Sequence, residues 1–174
     1  SAQFIANLAE ACRLAGRYKE EAVALQKALK LSPEEVQLLH RLCAALIKLG
    51  RYDDVIYVAG RALELDPASA LAHNNQGVAL QALERAAEAE TAYLKALEHT
   101  PDYPQALSNL GVVLQSTGRK KEAEASYRRA IAIKPDDAGS HSNLGNALRA
   151  LGRHTEAEAS HRQALAIDED YLEA

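Results

Sequence analysis

Asparagine recurs at one place of a fixed period: Asn75, Asn109 and Asn143 stand 34 residues apart, and the same place holds Asn7 and Arg41 earlier in the chain. A carboxamide carries both donors and an acceptor, which matches the N–H and C=O groups of an extended peptide backbone. A row of such amides would hold main chain without demanding a sequence. Asparagine is a mediocre helix former, so its return within helical patterns needs a reason. Two are open: bonding a ligand's main chain, or bonding neighbouring helices. Each neutral hydrogen bond nets only about 0.5–1.5 kcal/mol, against several kcal/mol of freedom lost on association. Four asparagines therefore need help from their neighbours.

Other chemistry is sparse. His154 and His161 lie seven residues apart, two helical turns or roughly 10 Å, too far to share one zinc without a further element. Cys12 and Cys43 fall on core positions of helical patterns and read as two buried thiols, not a disulfide. No Walker loop, dinucleotide fingerprint, zinc-protease motif or nucleophile elbow occurs. No nucleophile is assembled with a base and an oxyanion donor, so we expect no catalytic residue, no cofactor and no metal, and not an enzyme by itself. Arg17, Arg51, Arg85, Arg119 and Arg153 each precede an acidic residue by three places (Glu20, Asp54, Glu88, Glu122, Glu156), a spacing that pairs charges at a helix start.

The elements that position these residues follow from a second set of marks. Pro33, Pro67, Pro101 and Pro135 also stand 34 residues apart, and proline cannot continue a helix. They divide the chain into units 2–35, 36–69, 70–103, 104–137 and 138–171, each read as two helices. EDYLEA at the end repeats the layout of PDYPQA, so a sixth unit is expected to begin at Leu172, with Glu169 where a fifth proline would stand. The first helix of each unit carries a small residue at its eighth place (Ala9, Cys43, Gly77, Gly111, Gly145), with Leu46, Leu80, Leu114 and Leu148, or the smaller Cys12, three further on. Gly16, Gly50, Gly118 and Gly152 end that helix in a left-handed cap. Glu84 breaks the rule, and its turn is expected to be strained, lengthened or continued as helix. Ala28, Ala62, Ala96, Ala130 and Ala164 mark close approach on the second helix.

The pattern of small, large, glycine, alanine and proline places at a 34-residue period resembles the tetratricopeptide repeat family over essentially the whole chain. That resemblance implies an all-α fold: a right-handed superhelical solenoid of antiparallel helix pairs, five units long, whose first helices line a concave groove for an extended peptide or a partner's helix. Histidine at His73 and His141 and Gln76 in place of leucine depart from the family pattern and put local packing in question. Carried onto this chain, the groove presents Asn7, Arg41, Asn75, Asn109 and Asn143, flanked by Asn74, Gln81, Gln115, Asn146 and Arg149. Arg13, Arg41 and Lys48 would favour acidic segments, with Glu10 partly opposing them. Ala6, Glu10 and Gln3 replace the lysine and asparagine of the family's carboxylate clamp, so chaperone-tail recognition is disfavoured. The strings SNLGVVLQSTGR (108–119) and SNLGNALRALGR (142–153) resemble the repeat regions of O-linked N-acetylglucosamine transferases, which implies an asparagine ladder. The alternative functions are the substrate-recognition region of a larger bacterial glycosyltransferase and a scaffold self-associating through its terminal repeats.

Composition agrees with a protein-binding class. The 174 residues are 48% hydrophobic and 25% charged, as in soluble proteins. A net charge of −4 offers no dense basic stripe for nucleic acid. No apolar run approaches the ~20 residues of a membrane span, and SAQFIANLAE lacks a signal-peptide layout, so neither membrane nor secretion is expected and a cytoplasmic location is. The absence of methionine suggests that Ser1 is not the natural start of translation.

Overall fold

The computed structural model describes residues 1–168, with only the backbone of Ala2 and Gln3; the readings placed on Glu169 and Leu172 lie outside these residues. The described residues form ten helices and no strand: α1 Ala2–Leu14, α2 Tyr18–Leu31, α3 Val36–Lys48, α4 Tyr52–Leu65, α5 Ala70–Ala82, α6 Ala86–His99, α7 Pro104–Ser116, α8 Lys120–Ile133, α9 Ala138–Ala150 and α10 His154–Ile167. The fold is all-α, as the repeat pattern implies. The chain divides into two compact units, Ser1–His99 with α1 to α6 and Thr100–Ala174 with α7 to α10. Within each unit, consecutive helices pack as neighbours, and short turns make them antiparallel. None of the described helices is long and apolar enough to cross a membrane.

Each odd-numbered helix ends in the same hydrogen-bonded turn. The Arg17 N–H donates to the Cys12 carbonyl at 2.9 Å and the Gly16 N–H to Arg13 at 3.0 Å, the six-to-one and five-to-two bonds of a Schellman cap. Arg51, Arg119 and Arg153 repeat the longer bond, with Gly50, Gly118 and Gly152 at φ of 67°, 82° and 78°. Glu84 neither lengthens this turn nor continues the helix. It adopts φ 59° and keeps both bonds, Glu84 N–H to Gln81 and Arg85 N–H to Leu80. Of the three outcomes open to it, strain is the one realised, because two orphan carbonyls outweigh one unfavourable backbone region. A side chain there costs roughly 1–2 kcal/mol, while glycine adds back unfolded-state entropy. Glu84→Gly is therefore expected to stabilise the chain by about 0.5–1 kcal/mol, read as a higher urea midpoint at unchanged slope; an unchanged or lower midpoint would count against strain at this turn.

The core is built at the helix crossings. Ala28, Ala62, Ala96, Ala130 and Ala164 are all completely buried, so a larger residue at that place has no room. Opposing glycines are held against rings. A β-carbon on Gly77 would stand 2.6 Å from the Tyr93 ring, one on Gly111 2.5 Å from Tyr127, and one on Gly145 2.7 Å from His161. In these three repeats the small residue expected beside a leucine on its own helix thus serves to admit a ring from the paired helix. Cys12 and Cys43 are free and buried, and burial pushes the Cys43 thiol up to about 12.

The two histidines that depart from the family pattern share one arrangement. His73 Nε2 lies 3.2 Å from the Pro67 carbonyl oxygen and His141 Nε2 2.9 Å from that of Pro135. Each ring reaches back six residues to the turn before its own helix. His73 also stacks on His99, with ring centroids 5.8 Å apart. Burial holds the His73 imidazole below its ordinary value, only partly offset by the bond to Pro67.

Candidate functional site

Asn7, Arg41, Asn75, Asn109 and Asn143, the sixth-place residues of their repeats, fall on the odd-numbered helices, spread over both units. In the first, Asn7 lies exposed on α1, Arg41 half-buried on α3, and Asn75 buried on α5 beside the buried Asn74. Helices α3 and α5 are in contact. In the second unit Asn109 on α7 and Asn143 on α9 are both half-buried, and those two helices also touch. None of Asn7, Asn74 and Asn109 is without an interaction partner inside the protein. A carboxamide has two N–H donors and two lone pairs, so one internal bond does not exhaust it.

The flanking amides are partly engaged. Gln81 Oε1 accepts a hydrogen bond from the Tyr93 hydroxyl at 2.9 Å, and Gln115 Oε1 accepts one from Tyr127 at 3.4 Å. These bonds satisfy phenols that burial keeps protonated well above their ordinary range. They also fix the two glutamines, leaving their NH2 groups as the remaining donors. Arg149 donates to Asn146 Oδ1 at 3.3 Å, joining an exposed cation to a half-buried amide on α9. Ser140 donates to Ser108 at 3.1 Å between α9 and α7. The second unit therefore presents side chains already oriented by one another.

The cationic patch expected early in the chain is compensated. Glu10 bonds Arg13 on its own helix and lies 3.1 Å from Arg41 on α3; Arg41 also donates to the Ala6 carbonyl at 3.3 Å. The Arg13 hydrogen bond holds the Glu10 carboxyl below its ordinary value despite opposing desolvation, with Arg13 and Arg41 charges adding to it. Nearby Glu21 is buried, and desolvation raises it although Arg41 and Arg13 pull the other way. Arg41 thus faces carboxylates already present, and attraction for an acidic ligand at this place is reduced.

The arginine–acid pairs at the helix starts form in four of the five repeats, from Arg51–Asp54 at 2.7 Å to Arg153–Glu156 at 2.6 Å. Arg17 and Glu20 instead both line a trough beside α1 and α2. What the sequence did not disclose is longer-range: Arg153 also bonds Glu124, 29 residues away, at 2.6 Å.

Three family models, each described as a tetratricopeptide repeat, match residues 2–35, 68–136 and 140–174. No curated protein matches the sequence. Among solved structures, one described as the crystal structure of MamA aligns with TM-score 0.76 at 26% identity, covering 95% of this chain and 97% of that one. TTC0263, described as a thermophilic TPR protein in Thermus thermophilus, aligns with TM-score 0.85 at 23% identity, over 99% and 94% of the two chains. MamA from Desulfovibrio magneticus aligns with TM-score 0.79 at 18% identity, over 97% and 96%. At these identities the last two speak to fold alone. The repeated Schellman turns, the buried alanine of every second helix and the matches along most of the sequence converge on one conclusion: this chain belongs to the tetratricopeptide repeat family.

Proposed function

We propose that this protein is an interaction module that holds an extended segment of a partner protein against the odd-numbered helices of its second unit, with the amides of Asn109 and Asn143 bonding the partner's main chain. The observation that supports it best is the pair Asn109 and Asn143, half-buried at equivalent places on touching helices. A half-buried amide keeps enough exposure to meet a ligand and enough packing to hold its rotamer, which lowers the entropy lost on binding. Gln115, Asn146 and Arg149 extend the same polar chemistry. Affinity on this face would be modest and tolerant of sequence, since main chain is what the amides read.

Peptides selected on the parent chain from a random display library supply the ligands for a test by fluorescence polarisation. Asn109→Ala with Asn143→Ala should weaken binding about tenfold or more, two lost hydrogen bonds at about 0.5–1.5 kcal/mol each. Unchanged affinity of every selected peptide class in the double variant, with an intact fold, would sink the reading.

A second reading, self-association through the terminal repeats, is favoured by a different observation. A trough of about 650 Å³ beside α1 and α2 is lined by Ile5, Leu8, Cys12 and Val23, and Leu8 is 51% exposed. Light scattering across a concentration series tests it, and a monomer at every concentration would dismiss it.

A further inference from the structure

Between α2 and α4 in the first unit a groove of about 490 Å³ opens over α3. Its floor is Leu39, Leu42 and Leu46, and its lips carry two exposed large side chains, Val23 (50%) and Tyr57 (69%). None of the sixth-place residues of the odd-numbered helices lines it. The rim is cationic in a chain whose net charge is −4: Lys27, Lys30 and Arg61 stand against one carboxylate, Asp54. Asp54 already pairs with Arg51 at 2.7 Å, so its charge is largely met. Among the described residues neither Lys27 nor Lys30 has an ion pair, and Arg61 is steadied by donating to the Pro33 carbonyl at 3.1 Å.

A similar groove in the second unit shows what is particular here. It lies between α8 and α10 over α9 and contains Arg128 and His141 with Leu144. Arg128 there is bound to Glu124 at 2.9 Å and to Glu156 at 3.4 Å, so its charge is spent within the fold. The first groove keeps its positive charge unspent. Apolar floor, exposed apolar lips and uncompensated cations together specify an occupant with the opposite rim.

We propose that this groove is a docking site for an acidic segment of a partner protein bearing one or two large apolar side chains. The apolar anchor lies over the three leucines against Tyr57, and carboxylates on either side of it meet Lys27, Lys30 and Arg61. Dry apolar contact supplies the stability of the complex, while the cations set its sign preference and its approach rate. The site differs from the asparagine face in location and in what it reads, side chains here and main chain there.

The experiment is selection of a random peptide display library on the parent chain, followed by polarisation titrations against parent, Lys27→Glu/Lys30→Glu and Tyr57→Ala, all at exposed positions. The expected result is a class of peptides combining Asp or Glu with Leu, Phe, Tyr or Trp. Their affinity should fall about tenfold or more in the double charge reversal, fall in Tyr57→Ala, and weaken as salt is raised. The same peptides should bind Asn109→Ala/Asn143→Ala as they bind the parent, which separates this site from the asparagine face. The proposal is overturned if no such class is enriched, if the enriched peptides are not acidic, or if Lys27→Glu/Lys30→Glu binds them like the parent while its circular dichroism is unchanged.

Discussion

Alanine at Gly111 is expected to lower stability by up to about 2 kcal/mol, whereas alanine at Gly60 should raise it by up to about 1 kcal/mol. Both glycines sit inside helices, α7 and α4, and both gain the same helix propensity on acquiring a β-carbon. Their surroundings differ. A β-carbon on Gly60 meets nothing within 4 Å, so propensity acts alone. On Gly111 it would meet the Tyr127 ring at 2.5–2.8 Å, and that ring is 1% exposed with its hydroxyl tied to Gln115. It has nowhere to go, and overpacking at about 1–3 kcal/mol outweighs the propensity gain of about 1 kcal/mol. The chain contains its own remedy. The first repeat holds Ala9 and Leu25 at the places of Gly111 and Tyr127, both fully buried. Tyr127→Leu added to Gly111→Ala should therefore recover part of the loss, as a positive coupling in a double-mutant cycle. Urea midpoints of the four proteins read it; additive losses would show that the glycine is not there to admit the ring.

The period of helices, turns and buried alanines was legible because each rests on a local rule: proline stops a helix, glycine turns it, and alanine admits a close neighbour. Which large residue a small one faces was not. Gly111 was expected beside Leu114, three places on, but it is Tyr127 that closes over it, and only packing of α7 on α8 brings that ring in. Likewise Glu84 announced a fault in its turn without revealing which repair wins, since that depends on two hydrogen bonds competing with backbone strain. The candidate site was legible as residue types and places. Its electrostatics were less so, because Glu10 reaches Arg41 across 31 residues and quenches the cation that the sequence placed in the groove. The groove between α2 and α4 left no local signal, because only the juxtaposition of its leucines and lysines across three helices makes a site.

Glu124→Gln is expected to cost about 1–2 kcal/mol at neutral pH, and progressively less in acid. Glu124 sits only 14% exposed between two arginines, bonded to Arg128 at 2.9 Å and to Arg153 at 2.6 Å. Glu156 closes the ring, 2.6 Å from Arg153 and 3.4 Å from Arg128. Burial pushes the Glu124 carboxyl up, but hydrogen bonds from Arg128 and Arg153 outweigh it and hold the group below its ordinary value of 4.5. The folded protein then binds a proton at Glu124 less readily than the unfolded chain does. Its contribution is present in full above the unfolded value and is lost as pH falls through the folded one. Charge-assisted bonds of about 1.5–3 kcal/mol set the scale, and the exposure of both arginines reduces it. The variant keeps shape and one acceptor, so cavity effects do not intrude. Urea unfolding of parent and variant at pH 7 and at about pH 3 should give a gap at the first and a smaller one at the second. Equal stability at pH 7 would mean that the arginines exchange Glu124 for water without loss, and that the packing of α8 on α9 holds the second unit with no help from its charges.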